Sequence, residues 1–192
     1  MDNAYSTACF FVSFLIIFEK EYYENKAKIL ARTDVLTGLN NRRSFEEVFF
    51  KLEDNWKDIE ELTVICLDLN GLKRTNDNIG HSAGDELLNG AAKCMNEAFS
   101  DAVVIARIGG DEFCVITKKS SDEVKEQAAK LAELTKNWKG KLYDGLSLSL
   151  GYASKGDNPD KKILDLHNMA DNAMYEDKRI YYLNNKNDRR KR

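Results

Sequence analysis

The stretch from Leu62 to Leu69, LTVICLDL, is the feature that most constrains this chain. It is a near-continuous apolar run rich in branched residues, the pattern of a strand buried on both faces. Asp68 lies near its end. A carboxylate there faces a desolvation cost unless something positive meets it. The run therefore predicts a strand covered on both sides, with a charged point near its C-terminal end.

The flanking sequence alternates between helical and strand periodicity. Arg42 to Trp56 reads as a helix with Phe45, Val48, Phe49 and Leu52 on one face. Ala83 to Phe99 reads as a second, with Leu87, Leu88, Ala91, Met95 and Phe99 inward. The runs VVIARI and EFCVIT flank Gly109-Gly110-Asp111, a hairpin signal. Ser121 or Asp122 is expected to cap a helix running to about Trp138. LSLSLGYA alternates strictly, which predicts a half-buried strand with Leu146, Leu148 and Leu150 toward the core. Asn158-Pro159 reads as a cap and first turn opening a last helix through Ile163, Leu166, Met169, Ala173 and Met174. The fold class is α/β (α+β), a central sheet covered by helices.

The candidate chemistry sits where strands end. Asp111 and Glu112 crowd a tight Gly-Gly turn, where like charges repel. If the two strands are neighbours, these carboxylates and Asp68 converge. Oxygen ligands without histidine or cysteine suit Mg²⁺ or Mn²⁺ better than zinc. Gly109 and Gly110 carry no Cβ, so backbone there can approach a phosphate closely. The bland alternative is an acidic hairpin turn with no metal. After Asp68, the segment DLNGLKRTNDNIGHSAGDELL holds Lys73, Asn76, His81 and Asp85 between glycines. Asn and Asp can read the edge of a base, and a carboxylate suits the N1–H and N2–H₂ donors of guanine. Lys73 could neutralise charge developing in phosphoryl transfer. The bland alternative is a helix–loop–helix with Asn and Asp as caps.

Composition bounds the partners. The 192 residues carry a formal net charge of -3, which gives no support to a nucleic-acid partner. The four cysteines form no Cys-x-x-Cys pair and only two histidines are present, so the spacing argues against zinc and for reduced cytosolic thiols. Ala8 to Phe18, ACFFVSFLIIF, is almost wholly apolar but shorter than the ~20 residues that cross a bilayer. It is either the inner end of a transmembrane helix or an amphiphilic helix packing on a partner chain. The expected location is a cytoplasmic catalytic domain, at the inner face of the membrane under the first alternative. The following EKEYYENKAKILART is charged and helix-prone, with Tyr22, Lys26, Ile29 and Thr33 as a candidate stripe. The expected organisation is an N-terminal segment and signalling or dimerisation helix over 1–33, one domain over 34–183, and a polar basic tail over 184–192.

Six ordered motifs resemble one family. Asp34-Val-Leu-Thr-Gly-Leu-Asn-Asn-Arg-Arg is similar to the opening signature of GGDEF-domain diguanylate cyclases. Asp68-Leu-Asn-Gly-Leu-Lys-Arg-Thr-Asn-Asp and Gly80-His-Ser-Ala-Gly-Asp-Glu-Leu-Leu resemble its nucleotide-binding block. Arg107-Ile-Gly-Gly-Asp-Glu-Phe resembles the naming motif, Ser149-Leu-Gly-Tyr-Ala a strand, and Ala170-Asp-Asn-Ala-Met-Tyr-Glu-Asp-Lys the last helix. The resemblance implies a mainly antiparallel sheet similar to the palm of polymerases and nucleotide cyclases. It implies condensation of two GTP into cyclic di-GMP with release of pyrophosphate, Mg²⁺ or Mn²⁺ as cofactor, and a homodimer in which each domain presents one GTP. It implies metal on the carboxylates of Asp68 and Asp111 and the carbonyl of Leu69, with Glu112 close by. Asp111 would help deprotonate the attacking 3′-hydroxyl and Lys73 would stabilise the transition state. Asn76 and Asp85 would hold guanine, with His81 near the nucleotide and Lys178 on the triphosphate.

Some positions depart from the family pattern. Tyr181, Tyr182 and Leu183 stand where a Gly-Arg-Asn stretch with a phosphate-binding arginine is usual. Ser100 and Val103 occupy the places of the R-x-x-D product-feedback motif. Asn70 stands where many members have Asp, and Leu72 where many have Phe. The alternatives to an active cyclase are a degenerate GTP- or cyclic-di-GMP-binding regulatory module and a cyclase of different base choice, against which Asp85 argues.

Overall fold

The chain is described by a computed structural model covering residues 16–23, 26–27 and 29–186. In chain order its elements are β1 (Asn40–Asn41), α1 (Arg42–Asp54), a 3₁₀ turn (Trp56–Asp58), β2 (Thr63–Leu69), α2 (Leu72–Ile79), α3 (His81–Ala98), β3 (Val104–Arg107), β4 (Glu112–Thr117), α4 (Ser121–Asn137), β5 (Leu148–Ser154) and α5 (Ile163–Lys186). The five strands form one sheet in the order β1-β3-β4-β2-β5. Only the two-residue β1 runs parallel to its neighbour; the other pairs are antiparallel. The expected mainly antiparallel sheet flanked by helices is what the chain forms.

β2 is bonded on both sides, to β4 and to β5, and every one of its residues is buried. Strand side chains alternate between faces. Ile65, Leu67 and Leu69 enter a core with Leu87, Ala91 and Met95 of α3 and Val124 and Leu131 of α4. Val64 and Cys66 enter the opposite core, with Phe45 and Phe49 of α1 and Leu166, Ala170 and Met174 of α5. Asp68 continues this second series, so its carboxylate emerges on the α5 side.

The helix-covered sheet corrects one part of a strand reading: β5 is covered on both faces rather than one. In β5 the alternation is real and its leucines do face a core, with Leu146 just before the strand buried and Leu148 and Leu150 half-buried beside it, but Ser149, Gly151, Ala153 and Ser154 are buried as well. Gly151 explains this. A Cβ there would stand 2.2 Å from the backbone nitrogen of Met174 and 2.3 Å from the carbonyl of Ala170. α5 therefore lies directly on the small-residue face, while Leu148 and Leu150 pack against the other core.

Helix ends differ from expectation for local reasons. α1 stops at Asp54 rather than Trp56, because the Asn55 side chain folds back to the carbonyl of Lys51 at 2.7 Å. Ser120, not Ser121 or Asp122, caps α4, forming a reciprocal capping box with Glu123. α5 begins at Ile163, later than Asn158-Pro159 implied. Asn158 instead closes a turn onto the carbonyl of Ser154 at 3.0 Å, and the Asp165 carboxylate accepts the Lys162 N–H at 3.0 Å.

Residues 16–23, 26–27 and 29–32 are helical, with Ile16, Ile17, Phe18, Tyr22, Tyr23, Ile29 and Leu30 exposed. Most of the apolar stretch from Ala8 lies outside the described residues, as does the tail after 186. Among the described residues no helix is long and apolar enough to cross a membrane.

Candidate active site

Backbone pairing brings the end of β2 to the turn that precedes β4. Asp68 is the Cα partner of Glu112. The N–H of Leu69 donates to the carbonyl of Asp111 at 2.9 Å, pinning the strand end to the Gly109-Gly110-Asp111 turn. Ile108 and Gly109 donate to the carbonyl of Glu112 at 3.0 and 3.3 Å, closing that turn. A Cβ on Gly109 would meet the Glu112 carboxylate at 2.6 Å, so a side chain there would push that carboxylate aside. Asp68, Asp111 and Glu112 are thus drawn to one end of the sheet.

Asp68 is 3% exposed, yet only one of its oxygens is satisfied. Lys178 Nζ donates to Oδ2 at 2.6 Å, while Oδ1 is buried and accepts no hydrogen bond from the protein. Burial pushes the Asp68 carboxyl above the usual carboxylate range, and the charges of Asp111 and Glu112 push the same way against the pull of Lys178. Burial alone would lower the Lys178 ammonium, but the carboxylates of Asp68 and Asp111 outweigh it and hold it above its ordinary value. Lys178 reaches the site because α5 rests on Gly151. The N–H of Leu150 donates to the carboxylate of Asp177 at 3.1 Å and fixes the same turn of the helix.

A second group of residues follows from the way β2 leaves the sheet. Gly71, with φ of 78°, turns the chain into α2, and Gly80, with φ of 112°, joins α2 to α3. Lys73 lies exposed in the first turn of α2, and His81 and Asp85 lie exposed at the start of α3. Among the described residues, none of these three side chains forms a hydrogen bond or ion pair within the protein. Asn76 is half-buried against α3, its Oδ1 buried without a partner. A Cβ on Gly84 would stand 1.9 Å from that oxygen, so Gly84 makes the notch that Asn76 occupies.

Supporting contacts were not assigned from sequence. Arg107 Nη1 bonds Asp34 at 3.2 Å while its Nη2 donates to the carbonyl of Gly110 at 2.8 Å. It ties the loop after Asp34 to the acidic turn. Burial would raise the Asp34 carboxyl, but hydrogen bonds from Thr37 and Arg107 hold it below its ordinary value. Asn70 does not face the carboxylates: its amide donates to Ser147 Oγ at 3.2 Å and Ser149 Oγ at 3.0 Å. The signal for Arg107 was its place just before the Gly-Gly turn; nothing in the spacing pointed to the partners of Asn70.

The description "Diguanylate cyclase, GGDEF domain" belongs to a family model that matches residues 31–181, most of the chain and every site residue above. The chain belongs to the GGDEF diguanylate cyclase family. Among curated relatives, it is 31% identical over 174 residues to the diguanylate cyclase DosC of Escherichia coli, covering 88% of this chain and 37% of that protein. It is 43% identical over 94 residues to the cyclic di-GMP phosphodiesterase NbdA of Pseudomonas aeruginosa, covering 48% of this chain and 12% of that one. A solved sensory box/GGDEF family protein from Caulobacter crescentus superposes with a TM-score of 0.65 at 33% identity, covering 77% of this chain and 98% of the other. This GGDEF chain spans 12% to 63% of the length of the first curated relatives it matches.

Proposed function

We propose that this GGDEF domain condenses two GTP molecules into cyclic di-GMP and two pyrophosphates, at an interface between two copies of the chain. The observation that carries the reading is Asp68: a buried carboxylate with one oxygen on Lys178 and one oxygen without a partner, at the strand end that pairs with Glu112 and is bonded through Leu69 to the backbone of Asp111. A carboxylate left half-satisfied at a strand end costs stability. It is consistent with a group kept for a cation rather than for the fold.

Hard oxygen donors of this kind fit Mg²⁺ or Mn²⁺. Asp68 Oδ1, Asp111 and the carbonyl of Leu69 would hold the ion, with Glu112 beside them. Bound there, it supplies charge neutralisation on the phosphates and lowers the pKa of the attacking hydroxyl. The protein's own groups do the rest. Asp111 takes the proton from the 3′-hydroxyl of one GTP. That oxygen forms a bond to the α-phosphorus of the other GTP, and the bond to pyrophosphate breaks. Lys73 and Lys178 meet negative charge on the phosphates, at the transition state and the triphosphate respectively. Asn76 and Asp85 hold the guanine, Asp85 accepting from N1–H and N2–H₂, with His81 near the nucleotide. Gly109 and Gly110 let the turn's backbone approach the phosphates. The reaction occurs twice, once in each direction, so two domains must face each other about a twofold axis. The exposed apolar residues of the N-terminal helix, Ile16 to Leu30, are the proposed place where copies associate.

Purified protein incubated with GTP and Mg²⁺ is expected to yield a product with the mass of cyclic di-GMP, and none without divalent metal. Binding of GTP without turnover would replace this reading with a regulatory module, the role toward which Tyr181 and Tyr182 at the usual arginine position lean. A mixed dinucleotide from GTP plus ATP would overturn the guanine assignment of Asp85.

A further inference from the structure

The face of the sheet covered by α1 and α5 holds a second cluster of donor atoms that the cyclase reaction does not use. Cys66 and Cys114 are direct Cα partners across β2 and β4, and their sulfurs lie 3.8 Å apart. His167, near the start of α5, places Nε2 3.8 Å from the sulfur of Cys114. The three donor atoms all lie within 4.8 Å of one another. Both thiols are buried, and the imidazole packs edge-on against Phe49 and tilted against Phe45.

The sulfur–sulfur separation is that of a tetrahedral ion's coordination shell, and the sulfur–nitrogen separations are longer, so the imidazole would move inward on binding. A tetrahedral Zn²⁺ with Zn–S bonds of ~2.3 Å sets two sulfurs ~3.8 Å apart, and a sulfur and an imidazole nitrogen ~3.5 Å apart. The bland account is two small residues filling a core beside a histidine. Two features speak against it. An imidazole nitrogen held between Phe45 and Phe49 faces a thiol, and a weak S–H partner satisfies it poorly. The cluster also borders a cavity of about 460 Å³ between α1 and α5, lined by Phe45, Phe49, Leu164 and Asp171 as well as by all three donors. A closed core has no such opening beside its polar atoms.

We propose that Cys66, Cys114 and His167 form a Cys₂His site for a thiophilic divalent ion of the Zn²⁺ class, with its fourth position opening into that cavity. Binding releases two thiol protons, and the two thiolates cancel the charge of the ion, so the filled site adds no net charge to the core. Soft thiolates exclude Mg²⁺, which keeps this site chemically separate from the carboxylates. Spacing along the chain hides it, because its members are 48 and 53 residues apart and meet only through strand pairing and the docking of α5. The site also ties together the strands that carry Asp68 and Glu112, two residues from each cysteine.

Titration of the reduced full chain with Co²⁺ tests this. One equivalent is expected to give the visible bands of a tetrahedral ion and a near-ultraviolet thiolate-to-cobalt band, both removed by one equivalent of Zn²⁺. Cys114→Ser and His167→Ala are each expected to weaken binding at least tenfold, whereas Cys94→Ser and Asp68→Asn retain it. The absence of a thiolate band in the wild-type protein would overturn the proposal without recourse to any variant. A band that survives both Cys114→Ser and His167→Ala would overturn it equally.

Discussion

Asp68 carries opposite demands on stability and on function. Its carboxyl sits above the ordinary range, so the folded chain holds a proton there at a pH where the unfolded chain has lost it. Its contribution to folding therefore declines as pH rises through the raised value. Metal binding needs the deprotonated form, so the acid limb of Mn²⁺ affinity is expected above the ordinary carboxylate range. Lys178 pulls that limb down. Lys178→Met should move it to higher pH, read from Mn²⁺ titrations across pH, and should destabilise the fold by about 1–3 kcal/mol. That figure is below the cost of breaking a fully buried pair, because Lys178 is partly exposed. Asp68→Asn mimics the neutral form and should abolish turnover while leaving the urea midpoint equal to or above that of the wild type. An unfolding free energy lowered by more than about 1 kcal/mol would show that the charge serves the fold instead. Gly84→Ala tests the proposed base pocket. Displacing Asn76 from its notch should weaken GTP binding severalfold by calorimetry, with the helices still formed.

Elements decide which of these residues meet. The apolar run Leu62–Leu69 was enough to mark β2 as a strand buried on both faces, and the Gly-Gly turn marked the hairpin that carries the acidic pair; that the two strands are neighbours came only from the sheet order. Two things were not legible. Alternation in β5 placed its leucines toward a core, as found, but periodicity could not say that the opposite face is covered more closely; Gly151 and its small neighbours decided that through the approach of α5. The Cys66, Cys114 and His167 cluster was invisible for a related reason, since metal-site spacing rules assume donors close in sequence. Gly151→Ala is the sharpest test of the element packing. The added Cβ meets helix backbone, which cannot yield as a side chain can. It should cost about 1–3 kcal/mol in urea unfolding, the usual penalty for overpacking. It should also lower cyclase activity by more than the unfolded fraction explains, because the α5 turn bearing Lys178 shifts. Ser120→Ala, remote from the site, should cost about 1 kcal/mol through the lost cap and leave turnover per folded molecule unchanged.

The whole molecule, as described, presents one set of these residues, and the proposed reaction needs two. Specific activity is therefore expected to rise with protein concentration until the dimer saturates, with a second-order dependence at the dilute end. Strictly proportional turnover down to concentrations where sedimentation shows only monomer would exclude the shared interface. The central claim is narrower than the dimer: that the half-satisfied carboxylate at the end of β2 grips a divalent ion beside the nucleotide. The most direct measurement is a crystal structure with Mn²⁺ and a non-reacting GTP analogue, using anomalous scattering to find the metal. The account predicts a manganese peak in contact with Asp68 Oδ1 and Asp111 and with phosphate oxygens of the analogue. A nucleotide-bound structure with no manganese at Asp68, its carboxylate still held only by Lys178, would contradict it.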